Sequence, residues 1–561
     1  MSMLTLHYSR APTPERSPLT LAWLAALWMG IPGNWPLWRQ LMEMSQQGQI
    51  SGAGFTLVFG AVVCAALGAL LSLLAWRPLI KPLLSVLLLA TAVQAHFMGS
   101  YGIVIDPSMI INTLQTDARE TRDLINLQFI GHVFFLAVLP MVWLWRQSLP
   151  RGRWWPRLGR NLLSAALGLA LAVGFLMLSF AEASSTMRNH KSLRYMINPL
   201  NGLWSAGAAL AQTHQQPKGP PQVVGQDARL RPLAPGSKPP LLVLVVGETA
   251  RAANFSLNGY ARPTNPELAR LPVTSFTQVT SCGTSTAASL PCMFSHLGRE
   301  AFTSEKPHQE NLLDVLQRAG LAVLWLDNQS GCKGVCDRVP SAQAINPVRS
   351  DKPLPQGLCG ADGECFDEAL LHDLDGRLAA LDAQRRARGV VLVLHQMGSH
   401  GPAYFKRTPE QLKPFVPECR SSALQRCPTQ ELHNAYDNTI AYTDRVLART
   451  VAWLEQQQQH YNPALVYVSD HGESLGENGL YLHGMPYAMA PDEQKHIPLV
   501  MWLPPATAQA AGVDARCLTD KRHEPRSHDG LFHTMVRLGG VSTTLYRAEW
   551  DWLNSCNART H

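Results

Sequence analysis

The sequence predicts a two-part protein, with five membrane-spanning helices followed by an extracytoplasmic α/β domain whose mainly parallel central sheet is flanked by helices. Three observations support this prediction. Five apolar runs lie in the first third of the 561 residues, and four short Val/Leu-rich runs in the remainder each lead into acidic or histidine residues. In addition, nearly all of the 11 cysteines follow residue 281.

The apolar runs define the N-terminal part. Each is close to the ~20 residues that cross a ~30 Å hydrocarbon core. They cover residues 19–38, 52–75, 80–100, 125–145 and 161–181. The first contains prolines and could instead be a signal peptide, but it lacks a small-residue cleavage site and four further spans follow it. We therefore expect a transmembrane domain over residues 1–182, with an outer-face loop helix near 104–124.

Basic residues give the orientation. Arg16 precedes the first run, Arg77 and Lys81 lie between the second and third, and five arginines lie in 146–160. Loops rich in Lys and Arg stay in the cytoplasm, so these three are cytoplasmic. An odd number of spans then places the chain after residue 182 on the opposite side of the membrane.

The cysteines agree with this placement. Clustered, even-numbered cysteines outside the cytoplasm indicate disulfides, whereas a zinc ribbon would need C-x2-C pairs, and the sequence has none. Pairing by proximity in sequence joins Cys282 with Cys292, Cys332 with Cys336, Cys359 with Cys365 and Cys419 with Cys427, and leaves Cys517 and Cys556.

A connecting region follows the last span. Residues 183–211 mix basic and apolar side chains, as in an amphipathic helix on the outer membrane surface. The following stretch to residue 239 is rich in Pro and Gly, which is typical of a linker. We expect residues 183–239 to form this helix and linker, and residues 240–561 to form a periplasmic, zinc-dependent catalytic domain.

The four Val/Leu-rich runs resemble buried parallel strands. Each could simply end in an ordinary turn, but the carboxyl ends of parallel strands meet at one edge, where ligands bind. The polar residues at these ends are Glu248, Asp327, His395, His400, Asp470, His471 and Glu473. Among them, Glu248, Asp470 and His471 provide two carboxylates and an imidazole, a set suited to a catalytic zinc ion.

The segment CGTSTAASLPC, residues 282–292, supplies the candidate nucleophile. Its small residues predict a turn into a helix, whose free N–H groups favour a phosphate. A hydroxyl bound to a metal there would ionise at neutral pH. Spacing alone leaves Thr284, Ser285 and Thr286 as alternatives, and a Ser/Thr-rich loop beneath a structural disulfide is the simpler interpretation.

Longer motifs carry a family resemblance. GETAR, SCGTSTAASLPCMFS, DNQSGCKGVC, HQMGSHGPAYFKR, NAYDNTIAYTD and SDHGESLGENGLYLHGMPYAMAP resemble the phosphoethanolamine transferases, a membrane branch of the alkaline phosphatase and sulfatase superfamily. The likeness extends through both parts of the chain and is greatest to the lipid A enzymes, including those of mobile colistin resistance. It implies an alkaline-phosphatase-like fold for the catalytic domain.

The resemblance also implies roles for individual residues. Zinc would be held by Glu248, Thr286, Asp470 and His471, with Thr286 as the nucleophile, and a second zinc ion could bind with substrate. Without the resemblance, His400 and His483 would be structural histidines and the outer-loop residues a solvated helix face. Gln329 replaces an expected Asn. The implied substrate-binding residues are Asn112, Thr116, Glu120, Gln329, Lys333, His400 and His483.

The implied reaction transfers phosphoethanolamine from phosphatidylethanolamine to a phosphate group of lipid A, through a threonine intermediate, and gives polymyxin resistance. Transfer to a core sugar or glucan, a phosphoglycerol transferase, a hydrolase and a non-catalytic lipid-binding scaffold are the alternatives. We expect a multi-pass protein of the bacterial inner membrane, with its catalytic domain in the periplasm. Its partners would be the two lipids and the membrane, without nucleic acid, and a monomer is expected.

Overall fold

The computed structural model describes residues 15–50, 53–116, 118–190, 192–215, 219–233, 236–305, 307–344, 352–360 and 364–558, with the side chains of 118–120 and 213–215 excepted. The chain divides into two compact units. The N-terminal unit comprises the residues up to Ile110 together with Ile125–Leu210. The C-terminal unit comprises Ala211–His561 and also the outer-loop segment Ile111–Leu124.

Helices form the N-terminal unit. Four are long and apolar enough to cross a membrane, namely Ala53–Leu73, Ile80–Tyr101, Leu127–Arg146 and Trp154–Leu178. They match the last four predicted spans. The first predicted span is divided into helices Pro18–Gly30 and Trp35–Gln46, with a short 3₁₀ turn at Pro32–Asn34 between them. The division follows from Pro32, which has no N–H to donate within a continuing helix.

Small residues let the membrane helices approach closely. A Cβ on Gly68 would lie 2.3 Å from the Trp23 ring, so glycine leaves room for that indole. The Trp23 Nε1 donates to Ser164 Oγ at 3.0 Å, which also lies 2.9 Å from Ser72 Oγ. Interhelical contacts through small and hydroxyl residues are typical of membrane bundles.

Two predicted helices are interrupted. The outer loop forms Pro107–Gln115 and Ala118–Leu124 rather than one helix. The Thr116 hydroxyl donates to the Asn112 carbonyl, the acceptor that the next helical turn would use. The amphipathic segment forms Phe180–Asn189, Ser192–Tyr195 and Leu200–Gln215. Pro199 stands before the third helix, and it disfavours helical backbone at the residue that precedes it.

A seven-stranded sheet forms the centre of the C-terminal unit. Its strands in chain order are β1 (Pro240–Gly247), β2 (Val273–Phe276), β3 (Ala322–Asp327), β4 (Ser341–Gln343), β5 (Val390–His395), β6 (Asn462–Ser469) and β7 (Leu499–Trp502). Their spatial order is β2-β7-β6-β1-β5-β3-β4, and β7 is antiparallel to both its neighbours while the other pairs are parallel. The mainly parallel sheet that the sequence predicts is confirmed.

Both faces of this sheet are buried, as its continuous apolar runs predict. Along β1, Leu242, Leu244 and Val246 join one core cluster, whereas Leu241 and Val243 join the other. The long helix Thr429–Gln457 contributes to the second cluster. The other helices of the unit are Thr286–Met293, Gly298–Glu305, Leu312–Ala319, Leu374–Ala379, Ala383–Arg386, Pro505–Ala510, Ala515–Asp520 and Gly530–Leu538.

Short ladders and disulfides fasten the loops. Three two-stranded ladders pair Arg229–Leu230 with Val541–Ser542, Ser474–Leu475 with Tyr481–Leu482, and Val279–Thr280 with Arg526–Ser527. Disulfides join Cys282 to Cys292, Cys332 to Cys336, Cys359 to Cys365, Cys419 to Cys427 and Cys517 to Cys556. The first four are the pairs that proximity in the sequence suggests, and the fifth joins the two cysteines left over.

Candidate active site

The site begins where two central strands end. Gly247 of β1 pairs with Ser469 of β6, so Glu248 and Asp470 leave the sheet at the same level. The Thr249 amide donates to Asp470 Oδ1 at 3.1 Å, which holds the two strand ends together. Thr249 has a φ of +59°, an uncommon conformation for a non-glycine residue and one that often marks a functional turn.

Glu248, Asp470 and His471 form a buried cluster. All three are 0% exposed, and one ligand atom from each lies within 4.8 Å of the others. His471 Nε2 is 3.4 Å from Glu248 Oε1 and 3.2 Å from Asp470 Oδ2. His471 Nδ1 donates to the Gly472 carbonyl at 2.9 Å, which fixes the tautomer that leaves Nε2 for the cluster.

The three groups shift one another's pKa values. Burial, aided by the charge of Glu248, raises the pKa of Asp470 to about 6. Burial opposes protonation of His471, but Asp470 and Glu248 outweigh it and raise the pKa of the imidazole to about 9. The pKa of Glu248 is lowered, because its hydrogen bond and charge interaction with His471 exceed the effect of burial. The cluster is therefore a strong electrostatic site for a positive charge.

The cluster fits a metal ion. Asp470 Oδ2 is buried and accepts no hydrogen bond from the described residues. A carboxylate oxygen left without a donor is costly in a protein interior unless a cation occupies its place. Two carboxylates and one oriented imidazole are ligands that suit a divalent transition metal, with a position left for a further ligand.

The Thr286 hydroxyl lies at that position. Thr286 is the first residue of helix Thr286–Met293, and its Oγ1 is 3.1 Å from both carboxylate oxygens of Glu248 and 3.4 Å from His471 Nε2. Thr284 instead donates its hydroxyl to the Met485 carbonyl at 2.6 Å. Ser285 is the N-cap residue of the helix, and its side chain makes no capping bond to the described residues. Of the three hydroxyls, that of Thr286 adjoins the cluster.

His528 holds this segment against β6. Its Nδ1 accepts from the Cys282 amide at 3.0 Å, and its Nε2 donates to the Ser469 carbonyl at 2.9 Å. The bond that Nδ1 accepts requires a neutral ring, and burial lowers the pKa of His528 to about 4, which keeps the ring neutral. Ser289 donates to the Asp470 carbonyl and adds a second link. Neither His528 nor Ser289 could be predicted as part of the site, because no local sequence pattern marks them.

Two further histidines lie beside the cluster. The ring centroid of His483 is 4.3 Å from that of His471 and 5.6 Å from that of His400. His483 Nδ1 is 2.9 Å from Glu473 Oε2, and the Tyr404 hydroxyl donates to the other oxygen of Glu473. Glu473 follows the same strand end as His471, but the sequence analysis gave it no role in the site, and Tyr404 was missed.

Gln329 also contacts the cluster. Its Nε2 donates to Glu248 Oε2 at 3.0 Å, so the longer side chain reaches a candidate metal ligand. Lys333 lies nearby, with Nζ 3.0 Å from Ser330 Oγ and 3.3 Å from the Gln115 carbonyl. The bond to Gln115 links the catalytic domain to the outer-loop segment.

Other candidates are placed less directly. Asn112 and Thr116 belong to the outer-loop segment of the C-terminal unit, but the helix that carries Asn112 ends before Thr116. The outer-face helix expected near 104–124 is therefore interrupted, since one helix ends at Gln115 and the next begins at Ala118. The side chain of Glu120 lies outside the described residues. Asp327 and His395 end neighbouring strands and pair with each other, with Asp327 Oδ2 3.2 Å from His395 Nδ1.

Comparison with known proteins decides the family. Residues 240–541 match the Sulfatase family model, and residues 63–214 match the model for phosphoethanolamine transferase EptA/EptB. The chain is 39% identical to phosphoethanolamine transferase EptA of Escherichia coli K12 over 548 residues, which cover 96% of this chain and 97% of the relative. The chain belongs to the phosphoethanolamine transferase family.

Two more relatives support the assignment. Phosphatidylethanolamine transferase Mcr-1 of Escherichia coli is 39% identical over 87% of this chain and 89% of its own length. The integral membrane protein lipooligosaccharide phosphoethanolamine transferase A (EptA) from Neisseria meningitidis superposes with a TM-score of 0.89 at 35% identity, covering 97% of this chain and 100% of that chain. This family member is thus a transferase of the inner membrane, with an alkaline-phosphatase-like catalytic domain in the periplasm.

Proposed function

We propose that the protein transfers phosphoethanolamine from phosphatidylethanolamine to a phosphate group of lipid A, with Thr286 as the covalent carrier and zinc as the cofactor. The observation that carries this proposal is the position of Thr286 Oγ1, 3.1 Å from both oxygens of Glu248 at a helix N-terminus. A nucleophile placed beside a buried carboxylate at a helix N-terminus, whose N–H groups favour a phosphate, suits attack on a phosphodiester.

Zinc would be held by Glu248, Asp470 and His471, with Thr286 as the fourth ligand. When bound, it would lower the pKa of the threonine hydroxyl and neutralise charge that develops on the phosphate oxygens. The protein's own contribution is orientation: Gly472 fixes the imidazole, Thr249 fixes Asp470, and the Gln329 amide occupies one oxygen of Glu248.

In the first half-reaction, the Oγ1–P bond forms as the bond from phosphorus to the diacylglycerol oxygen breaks. The threonine proton passes to solvent, and the departing oxygen takes a proton from His483. His483 is the imidazole nearest the cluster, and Glu473 holds its Nδ1, which leaves Nε2 for proton donation. We assign His400 and Lys333, together with Gln329, Asn112, Thr116 and Glu120, to binding the phosphoethanolamine group.

In the second half-reaction, a phosphate oxygen of lipid A attacks the same phosphorus, the Oγ1–P bond breaks, and Thr286 regains a proton. The product keeps the lipid A phosphate, now joined to the transferred phosphate, and gains an ethanolamine ammonium that offsets part of the negative charge. A lower negative charge weakens the electrostatic attraction of cationic peptides. Polymyxin resistance follows as a consequence of the transfer.

The proposal is tested with purified protein in vesicles that contain phosphatidylethanolamine and lipid A. Mass spectrometry should show lipid A heavier by one phosphoethanolamine group and an equal amount of released diacylglycerol. Thr286→Ala should abolish both products, while the matched loss of a neighbouring hydroxyl, Thr284→Ala, should leave transfer measurable. Diacylglycerol release without modified lipid A would indicate hydrolysis and contradict the proposal.

A further inference from the structure

The side chain of Arg407 donates hydrogen bonds to three separate parts of the C-terminal unit. Its Nη2 donates to Asp123 Oδ2 at 2.9 Å, its Nη1 to Glu364 Oε2 at 3.0 Å, and its Nε to the His400 carbonyl at 3.0 Å. The side chains of Arg407 and Asp123 are both 3% exposed. One buried guanidinium therefore joins three separate parts of the chain.

Asp123 comes from the outer-loop segment 111–124, which belongs to the C-terminal unit although it lies in sequence between two membrane helices. Its second oxygen accepts from Lys406 Nζ. A buried carboxylate without partners would be strongly destabilising, whereas here both oxygens are paired with cations. The charge of Asp123 is thus satisfied by the catalytic domain.

The turn that carries Arg407 also leads to the candidate substrate residues. It begins at Tyr404, whose hydroxyl donates to Glu473, the partner of His483. The Arg407 amide in turn donates to the Tyr404 carbonyl at 2.9 Å. Asp123 is therefore connected through one short turn to the backbone of His400 and to the side chain of His483.

We propose that Asp123 and Arg407 are positioning residues, which dock the outer-loop segment on the catalytic domain and set His400 and His483 for the lipid headgroup. The docked segment brings Asn112 and Thr116 to the same unit as the nucleophile. A purely structural ion pair would not need the Nε bond to His400, nor a position at the turn that carries Tyr404. This inference rests on the proposed function only where transfer of phosphoethanolamine is measured.

The docking is tested by hydrogen exchange on the full-length protein in vesicles. Asp123→Asn keeps the size of the side chain and removes its charge, and Arg407→Lys keeps the charge but loses the three-way geometry. Each should raise exchange in the peptide covering 111–124 by about tenfold or more, because a buried pair loses one partner. The double variant should raise exchange by less than the product of the two single effects, since both changes remove the Asp123–Arg407 pair.

Glu524→Gln is the matched control, because Glu524 forms an exposed pair with Lys521, with side chains 49% and 36% exposed. It should change neither exchange nor transfer. Unchanged exchange over 111–124 in Asp123→Asn, with Arg407→Lys behaving alike, would overturn the docking role.

The positioning role is tested by steady-state transfer at varied phosphatidylethanolamine. Asp123→Asn should raise KM for the donor about tenfold, with bound metal unchanged, because the cluster ligands are not touched. Raised exchange with unaltered KM and kcat would overturn the positioning role. Failure of the wild type to transfer at all would contradict the proposed function instead, and the exchange result would still decide the docking.

Discussion

The buried cluster of Glu248, Asp470 and His471 determines the chemistry at the residue scale. The three side chains are 0% exposed, and Asp470 Oδ2 accepts no hydrogen bond from the described residues. Two buried carboxylates beside one imidazole favour a bound divalent cation. Two predictions follow from the identity of the ligands and from their ionisation.

Replacing Glu248 with Gln should lower zinc affinity by more than the ~10–100-fold typical of outer-shell partners, because a ligand charge is lost. Transfer should fall in parallel. Zinc content after dialysis, measured by atomic emission, checks this, and Glu300→Gln, an exposed acidic residue, is the control. Full zinc occupancy in Glu248→Gln would remove it from the ligand set.

Zinc affinity should also rise with pH. Metal binding needs a neutral His471 and an ionised Asp470, whereas their pKa values in the metal-free cluster are about 9 and about 6. Between these values zinc displaces one proton from His471, so affinity should increase about tenfold per pH unit, and more steeply below the pKa of Asp470. Competition with a chelator at a series of pH values measures the zinc affinity. An affinity that does not change with pH would contradict the protonation states given for Asp470 and His471.

The sequence predicts only part of this site, for a definable reason. Glu248, Asp470 and His471 could be named because each follows a strand, and parallel strands share an edge. Thr286 could not be separated from Thr284 by spacing, since the choice depends on which hydroxyl a helix start turns towards the cluster. Contacts such as Tyr404 with Glu473 are long-range and leave no local pattern.

At the scale of elements, a helix start, a disulfide and a glycine shape the candidate site. Helix Thr286–Met293 presents Thr286 at its first position, and the Cys282–Cys292 disulfide closes the loop around that start. Glycine at position 398 lets the loop after β5 approach Glu248 closely. The disulfide and the glycine each give a prediction with a matched control.

Replacing Cys282 and Cys292 with Ser should lower the free energy of unfolding of the C-terminal domain by about 2–3 kcal/mol and slow the loading of Thr286. The control is the Cys517–Cys556 pair, replaced in the same way, because it closes a loop of 39 residues that does not contain the nucleophile. That variant should lose stability but keep its loading rate. Equal effects of the two changes on loading would show that the first disulfide does not position Thr286.

Gly398→Ala should displace Glu248 and weaken zinc binding. Gly398 has φ +51°, and a Cβ there would lie 2.6 Å from the Glu248 carbonyl oxygen. Gly479→Ala is the control, since Gly479 has φ +73° and a Cβ there would meet no atom of the described residues within 4 Å. Both variants carry a backbone strain of about 1–2 kcal/mol, so only the difference in zinc affinity reports on Glu248. The same affinity in both would contradict the close-approach argument.

Strands and membrane helices were predictable, because apolar runs have a characteristic length and composition. Helix interruptions were not. The outer loop breaks near Thr116, where a side-chain hydroxyl takes a backbone carbonyl, and the first membrane run breaks at Pro32. Such breaks depend on local competition for hydrogen bonds, which periodicity does not register.

At the scale of the whole molecule, lipid chemistry explains why the chain combines membrane helices with an α/β domain. Leu163, Leu167 and Leu171 on helix Trp154–Leu178 remain more than half exposed, as suits contact with hydrocarbon. Both proposed substrates are lipids, and the outer-loop segment belongs to the catalytic unit. Under the proposed function, both parts of the chain serve one reaction.

Cells that produce the protein should tolerate more polymyxin than cells that produce Thr286→Ala, because modified lipid A carries less negative charge. We expect an increase of several-fold in the inhibitory concentration, measured at equal protein levels by immunoblot. If lipid A is modified only in cells with the wild-type protein, yet both kinds of cell tolerate polymyxin equally, the transfer does not cause resistance.

The central claim is that Thr286 carries the transferred group, and peptide mass spectrometry tests it most directly. The full-length protein is incubated with phosphatidylethanolamine and zinc, without acceptor, and then digested. We expect a phosphoethanolamine increment on Thr286 that disappears when lipid A is added and is absent from Thr286→Ala. Modified lipid A formed by a wild-type protein that never carries the increment, or an increment on Thr284 or Ser285, would contradict it.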